Sequence, residues 1–157
     1  MVYVPILLSH ARSLRAGEAL SSVAGHAATP SLRRALDLGV DDEEGDYAAL
    51  NAAGVAARAT LDGVQGRRRL VLAAEVDAAS VADHHGTSGE VQVAGLTWAQ
   101  VRSLFADEEV AAPAVLAAAR AADGVAPAQA YDLPAVVELT DNHDLLWFSP
   151  EELDALG

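Results

Sequence analysis

Two short stretches of the sequence hold the residue types that do chemistry. Asp83, His84 and His85 stand side by side in ADHHGTSGEV (82–91), and Asp141, His143 and Asp144 stand together in TDNHD (140–144). A carboxylate with two imidazoles is a donor set for a zinc-like metal ion. An imidazole flanked by carboxylates can serve as a general base, because the carboxylates orient the ring. The metal candidates are therefore Asp83, His84 and His85, and the catalytic candidates are His143, Asp141 and Asp144. Each set also has a plainer reading. Adjacent residues on a strand point to opposite faces, so His84 and His85 converge only if a loop turns them together. The glycines at 86 and 89 favour a polar connecting loop. TDNHD, with Asn142 as a cap, reads as a helix end leading into a strand.

Composition narrows the chemistry further. The chain of 157 residues has no Cys, and all ten of its basic residues are Arg. Thiolate metal sites, thiol catalysis, disulfides and Schiff-base lysines are thereby excluded. The dinucleotide, P-loop, nucleophile-elbow and zinc-protease motifs are absent, and no cofactor is expected. A net charge of −13 repels phosphate backbones and anionic lipid, so neither nucleic acid nor a membrane surface is an expected partner. GTSG (86–89) has the spacing of a KH-domain backbone clamp but lacks the positive groove such a clamp needs. Arg67, Arg68 and Arg69 form the one basic cluster and read as the exposed start of a strand. The apolar start, VYVPILL, is too short to span a bilayer and has no basic leader. A cytoplasmic protein is expected.

The elements that must position these residues follow from periodicity and punctuation. Ser9 is expected to cap a first helix closed by Gly17, and Thr29-Pro30 to open a second that stops at Gly39. Asp41 and Glu44 suit the start of a third, with Tyr47, Leu50, Gly54, Ala57 and Leu61 along one face. RRLVLAAEV is a central strand, since both of its alternating sets are apolar. EVQVAG is another strand, followed by a Thr97/Gln100 capping box that opens a helix with Trp98 as a packing residue. SLFAD is a strand, and residues 108–124 are a helix with Pro113 in its first turn and Gly124 at its end. This alternation favours a βαβ unit. AVVELTDN leans to helix and DLLWF to a buried strand. A second capping box, Ser149/Glu152, has Pro150 behind the cap and Phe148 and Leu153 as the staple pair.

Two resemblances stand in the sequence. DHH at 83–85 spells the motif of the DHH phosphoesterases, but the further aspartate motifs that complete their metal pair have no counterpart here. VYVP, TPSLRRAL, DYAALNAA, RRLVLAAEV and HDLLWFSPEEL together resemble a small uncharacterised family, a domain of unknown function, of high-GC Gram-positive bacteria (actinobacteria). That resemblance implies a stand-alone domain spanning 1–157 and brings no activity, catalytic residue or cofactor with it. It favours the HDLLWF end over DHHG as the place of any site.

The expected architecture is a single α/β to α+β domain, with a mixed sheet of about five or six strands and helices packed against it. The expected role is that of a small acidic interaction or regulatory module, taking a protein partner or self-associating. The alternative is a metal-assisted hydrolase or small-ligand binder built on a His/Asp cluster.

Overall fold

The computed structural model describes residues 1–40, 43–57, 67–125 and 127–157. Its centre is a strand laid down at the very start of the sequence. β1 (Val2–Pro5) runs between β2 (Leu20–His26) and β3 (Leu70–Ala74), and further strands extend both sides. β5 (Glu90–Leu96) joins β2, and β4 (Val81–Asp83) joins β5. On the other side β6 (Val101–Ala106) joins β3, and β7 (Leu146–Phe148) joins β6. The order is β4-β5-β2-β1-β3-β6-β7, and every pairing is antiparallel.

This corrects the expectation of a mixed sheet of five or six strands. The additional strand is β4, which was read as part of a loop. The βαβ unit fails for a local reason. The Thr97/Gln100 capping box forms, with Thr97 N donating to Gln100 Oε1 at 2.8 Å. It caps only a single 3-10 turn, Trp98–Gln100, before the chain becomes β6.

That short connection shapes the sheet. β5 ends at Leu96 and β6 begins at Val101, yet β2, β1 and β3 stand between them. Across a flat sheet, strand spacings of about 4.8 Å would put β5 and β6 about 19 Å apart. Five residues reach about 17 Å when fully stretched. The sheet therefore curls, and Val91, Val93 and Leu96 from one half meet Leu72, Val101 and Leu104 from the other in one buried cluster. α1 (Leu8–Arg15) closes this cluster with Ala11 and Leu14, and the terminal 3-10 helix Pro150–Leu156 closes it with Leu153 and Leu156. Gly25 permits the tight inner turn of the wall: a Cβ there would sit 2.9 Å from Val2 Cγ1 and 3.1 Å from the Tyr3 carbonyl.

The opposite face of the sheet is covered by small residues. α3 (Glu43–Ala57) lays Ala49, Ala53 and Ala57 on Tyr3, Val71 and Ala73. The 4-residue spacing of these alanines brings the helix close to the sheet. Of the expected face, Gly54 and Ala57 are buried and Leu50 packs against this cluster, but Tyr47 at its head is 60% exposed. Asp41 and Leu61 lie outside the described residues. α4 (Ala112–Ala121) and α6 (Pro134–Asn142) form a third cluster around Val115, Ala118, Val136 and Leu139, joined by Val55 of α3, and α5 (Pro127–Ala130) links them.

The helix termini sort the capping expectations. α2 (Pro30–Ala35) begins as read, with Thr29 Oγ1 accepting from Leu32 N at 3.2 Å. It stops before Gly39, because Asp37 takes the left-handed conformation at φ 56°. α1 has Leu7 rather than Ser9 at its N-cap, while Gly17 closes it at φ 105°. The Ser149/Glu152 box forms, with Ser149 N donating to Glu152 Oε2 at 2.7 Å. DLLWF is a strand, but an edge one, and Trp147 is 61% exposed.

Candidate functional site

The DHHG stretch is the turn of the β4–β5 hairpin. Asp83 ends β4, and its Oδ1 accepts from His85 N at 2.6 Å. This side-chain turn carries His85 into the left-handed region at φ 58°. The His85 ring then points outward, 81% exposed, with Nδ1 3.4 Å from Asp83 Oδ2. His84 goes the other way. Its N–H donates to Glu90 O at 3.1 Å, extending the ladder, and its side chain lines a cleft. The two adjacent histidines are thus separated by the turn between them. Among the described residues, no set of three His, Asp or Glu side chains converges to hold a metal ion.

The far end of the hairpin loop is pinned from below. Ala27 N donates to Gly89 O at 2.9 Å, and the His26 ring places Nδ1 3.0 Å from Ser88 O. Gly89, at φ 73°, lies so close to Ala27 that any Cβ would collide with the Ala27 carbonyl. His26 is buried, and in register it stands directly opposite Glu90 on β5 and Tyr3 on β1. Tyr3, His26 and Glu90 therefore form a row across three strands on the face that carries α3. Tyr3 has its phenol pushed up to about 12, first by burial and then by the neighbouring Asp46 carboxylate. Beside this row lies a cleft of about 190 Å³, lined by His26, His84 and Glu90 together with Ala56 of α3 and Tyr131. His26 gave little sign of itself in the sequence beyond its place at a strand end. Its weight comes from a register that pairs residues 64 positions apart.

At the other end of the sheet, TDNHD sits at the close of α6. His143 is the C-cap and is partly buried, whereas Asp141 and Asp144 are exposed. Among the described residues no hydrogen bond or ion pair joins their side chains to one another. What the segment contributes is a backbone group. The His143 carbonyl accepts from Arg69 Nη2 at 2.8 Å, and the same guanidinium holds Asp107 Oδ1 at 2.6 Å. Asp107 also accepts from Arg69 N at 2.7 Å. Arg69 is therefore not an exposed residue at the start of a strand: it and Asp107 are both buried. The reason is register. Leu70 pairs with Ala106, which sets Arg69 and Asp107 opposite each other where β3 and β6 diverge.

Just beyond this anchor, Leu145 packs beside Gly54 of α3 and the chain becomes β7. Phe148 turns to the inner core, while Trp147 lies across from Phe105 on the opposite face. The row continues inward as a Tyr3–Phe105 edge-to-face contact, with ring centroids 6.3 Å apart.

A family model matches residues 1–156. The chain belongs to the family of unknown function DUF6912. The match shows an uncharacterised domain of unknown function, which is the coarser part of what the segments implied. No curated protein and no solved structure matches the chain. Among the described residues no helix is long and apolar enough to cross a membrane.

Proposed function

We propose that this DUF6912 protein is an interaction module that binds an extended, basic segment of a partner protein along β7. The observation that carries the reading is Trp147, 61% exposed on a strand whose outer edge pairs with no other strand among the described residues. A sheet edge offers unpaired N–H and C=O groups to an added strand. An exposed Trp supplies the apolar anchor that interfaces favour. The sign of the partner comes from the flanks. Glu138, Asp141, Asp144 and Glu151 are all exposed in the segments before and after β7, and residues 134–157 include no Lys or Arg. A second copy would bring the same charges together, whereas Arg and Lys beside an apolar residue would complement them. A chain of net charge −13 also favours a protein partner over nucleic acid or anionic membrane. Catalysis forms no part of this reading, and the cytoplasm is its natural setting, since a chain without Cys has no disulfides to form elsewhere.

The test is selection from a displayed library of unstructured peptides against the intact protein and its Trp147→Ala variant. Enriched peptides should carry Arg or Lys around an apolar residue, and should bind the variant about 30-fold more weakly, as a Trp anchor worth about 2 kcal/mol implies. Peptides without a basic bias, or equal binding to both proteins, would remove the reading.

A further inference from the structure

The cleft beside His26 belongs to neither the β7 edge nor the fold's closure, and its chemistry is specific. The His26 ring is 6% exposed. Its one hydrogen bond within the described residues runs from Nδ1 to the Ser88 carbonyl at 3.0 Å. A carbonyl oxygen only accepts, so Nδ1 is the donor, and in the tautomer with a single proton Nε2 is the acceptor. No donor of the described residues meets that nitrogen, although buried polar atoms ordinarily find partners. On the same face and directly across the ladder stands Glu90, whose carboxylate makes no ion pair with the ring. Cross-strand neighbours of this kind have Cβ atoms about 5 Å apart. Both residues line the cleft, and no hydrogen bond or ion pair joins them.

We propose that this cleft binds a small organic ammonium ion, whose N–H groups are shared between the Glu90 carboxylate and His26 Nε2. Each alternative meets an obstacle in the walls. An anion would face Glu90 with no Arg or Lys among the described lining residues. A metal ion would lack a convergent set of three ligands among the described residues. A donor with a positive charge satisfies both acceptors at once, and charge-assisted hydrogen bonds are the stronger kind. The carbon skeleton would rest against Ala56 and Tyr131, and an aromatic face is a favourable wall for a cation. The volume fits: about 190 Å³ here, against the roughly 150 Å³ cavity that accepts benzene.

The experiment is an amide NMR titration of the whole protein with three probes of one shape: benzylamine, benzyl alcohol and benzoate. Benzylamine should saturate, with shifts centred on His26, Gly89 and Glu90, and the other two should bind roughly tenfold more weakly or not at all. Glu90→Gln, on an exposed rim residue, should retain the folded spectrum and weaken benzylamine roughly tenfold. His26→Gln should do the same where it folds. The proposal is overturned if benzoate or the alcohol matches the amine, if Glu90→Gln binds as well as the parent, or if no saturable shift reaches the cleft.

Discussion

Arg69 and Asp107 hold each other through Nη2–Oδ1 at 2.6 Å with both side chains buried, 38 residues apart in sequence. The guanidinium spends its remaining reach on the His143 carbonyl. One buried cation thus ties the start of β3, the end of β6 and the end of α6 to a common point. The functional candidates of TDNHD are held in place by a bond that uses none of their side chains.

The pair sets a sharp stability test. Asp107→Asn or Arg69→Met alone leaves a buried group without its counter-charge and should cost about 3–5 kcal/mol in urea unfolding. The double replacement, Arg69→Met with Asp107→Leu, should cost clearly less than the two single losses combined. His143→Ala keeps the carbonyl and should fall within about 1 kcal/mol of the parent. Full additivity of the pair, or a large loss at His143, would contradict the arrangement.

Gly89→Ala tests the hairpin turn. The residue sits at φ 73° against the Ala27 carbonyl, and a methyl group has no room there. The left-handed backbone alone costs a side chain about 1–2 kcal/mol, and the collision must also displace the loop from β2. Hydrogen exchange should quicken at Ala27 and Gly89 while the β3–β6 amides stay protected. Unchanged exchange at Ala27 would show that the loop is not anchored there.

Tyr3 predicts a response to base. Its phenol is raised from 10.0 to about 12 because burial, helped by Asp46, disfavours the phenolate. The folded state therefore holds its proton where the unfolded state has lost it. The stabilisation is fully present below pH 10 and declines as pH rises from 10 towards 12. Tyr3→Phe should flatten that decline in unfolding curves taken across this window. A Tyr3→Phe protein with the same alkaline slope as the parent would rule out Tyr3 as its source.

Much of the architecture was legible because it was written locally. Thr29-Pro30, the two capping boxes and the apolar run of β3 each announce themselves within a few residues, and each stands where it was read. The errors are of another kind. A capping box starts a turn without saying how long the helix will be, so Thr97 suggested a crossover helix where a single turn stands. Alanine faces carry little hydrophobic contrast, so the stripe of α3 was read from Tyr47 through Ala57, and Ala49 and Ala53 were missed. Arg69, Asp107 and His26 draw their meaning from strand register, which no short window contains. The same holds for Glu90 opposite His26: residues 83–85 were visible as a motif, but the ring that matters beside them comes from another strand.

The order of the strands has a consequence for how the protein is made. β1 is the first strand to be synthesised and the middle one in the sheet, and β2, β3, β5, β6 and β7 are added outward on one side or the other. Apart from β4, which must wait for β5, each new strand emerging during translation finds its neighbour already present. No completed pairing has to reopen to admit a later arrival, which limits the time that unpaired edges spend exposed to neighbouring chains. The sheet is assembled from its spine to its rims, and the last rim to arrive is the one that carries Trp147.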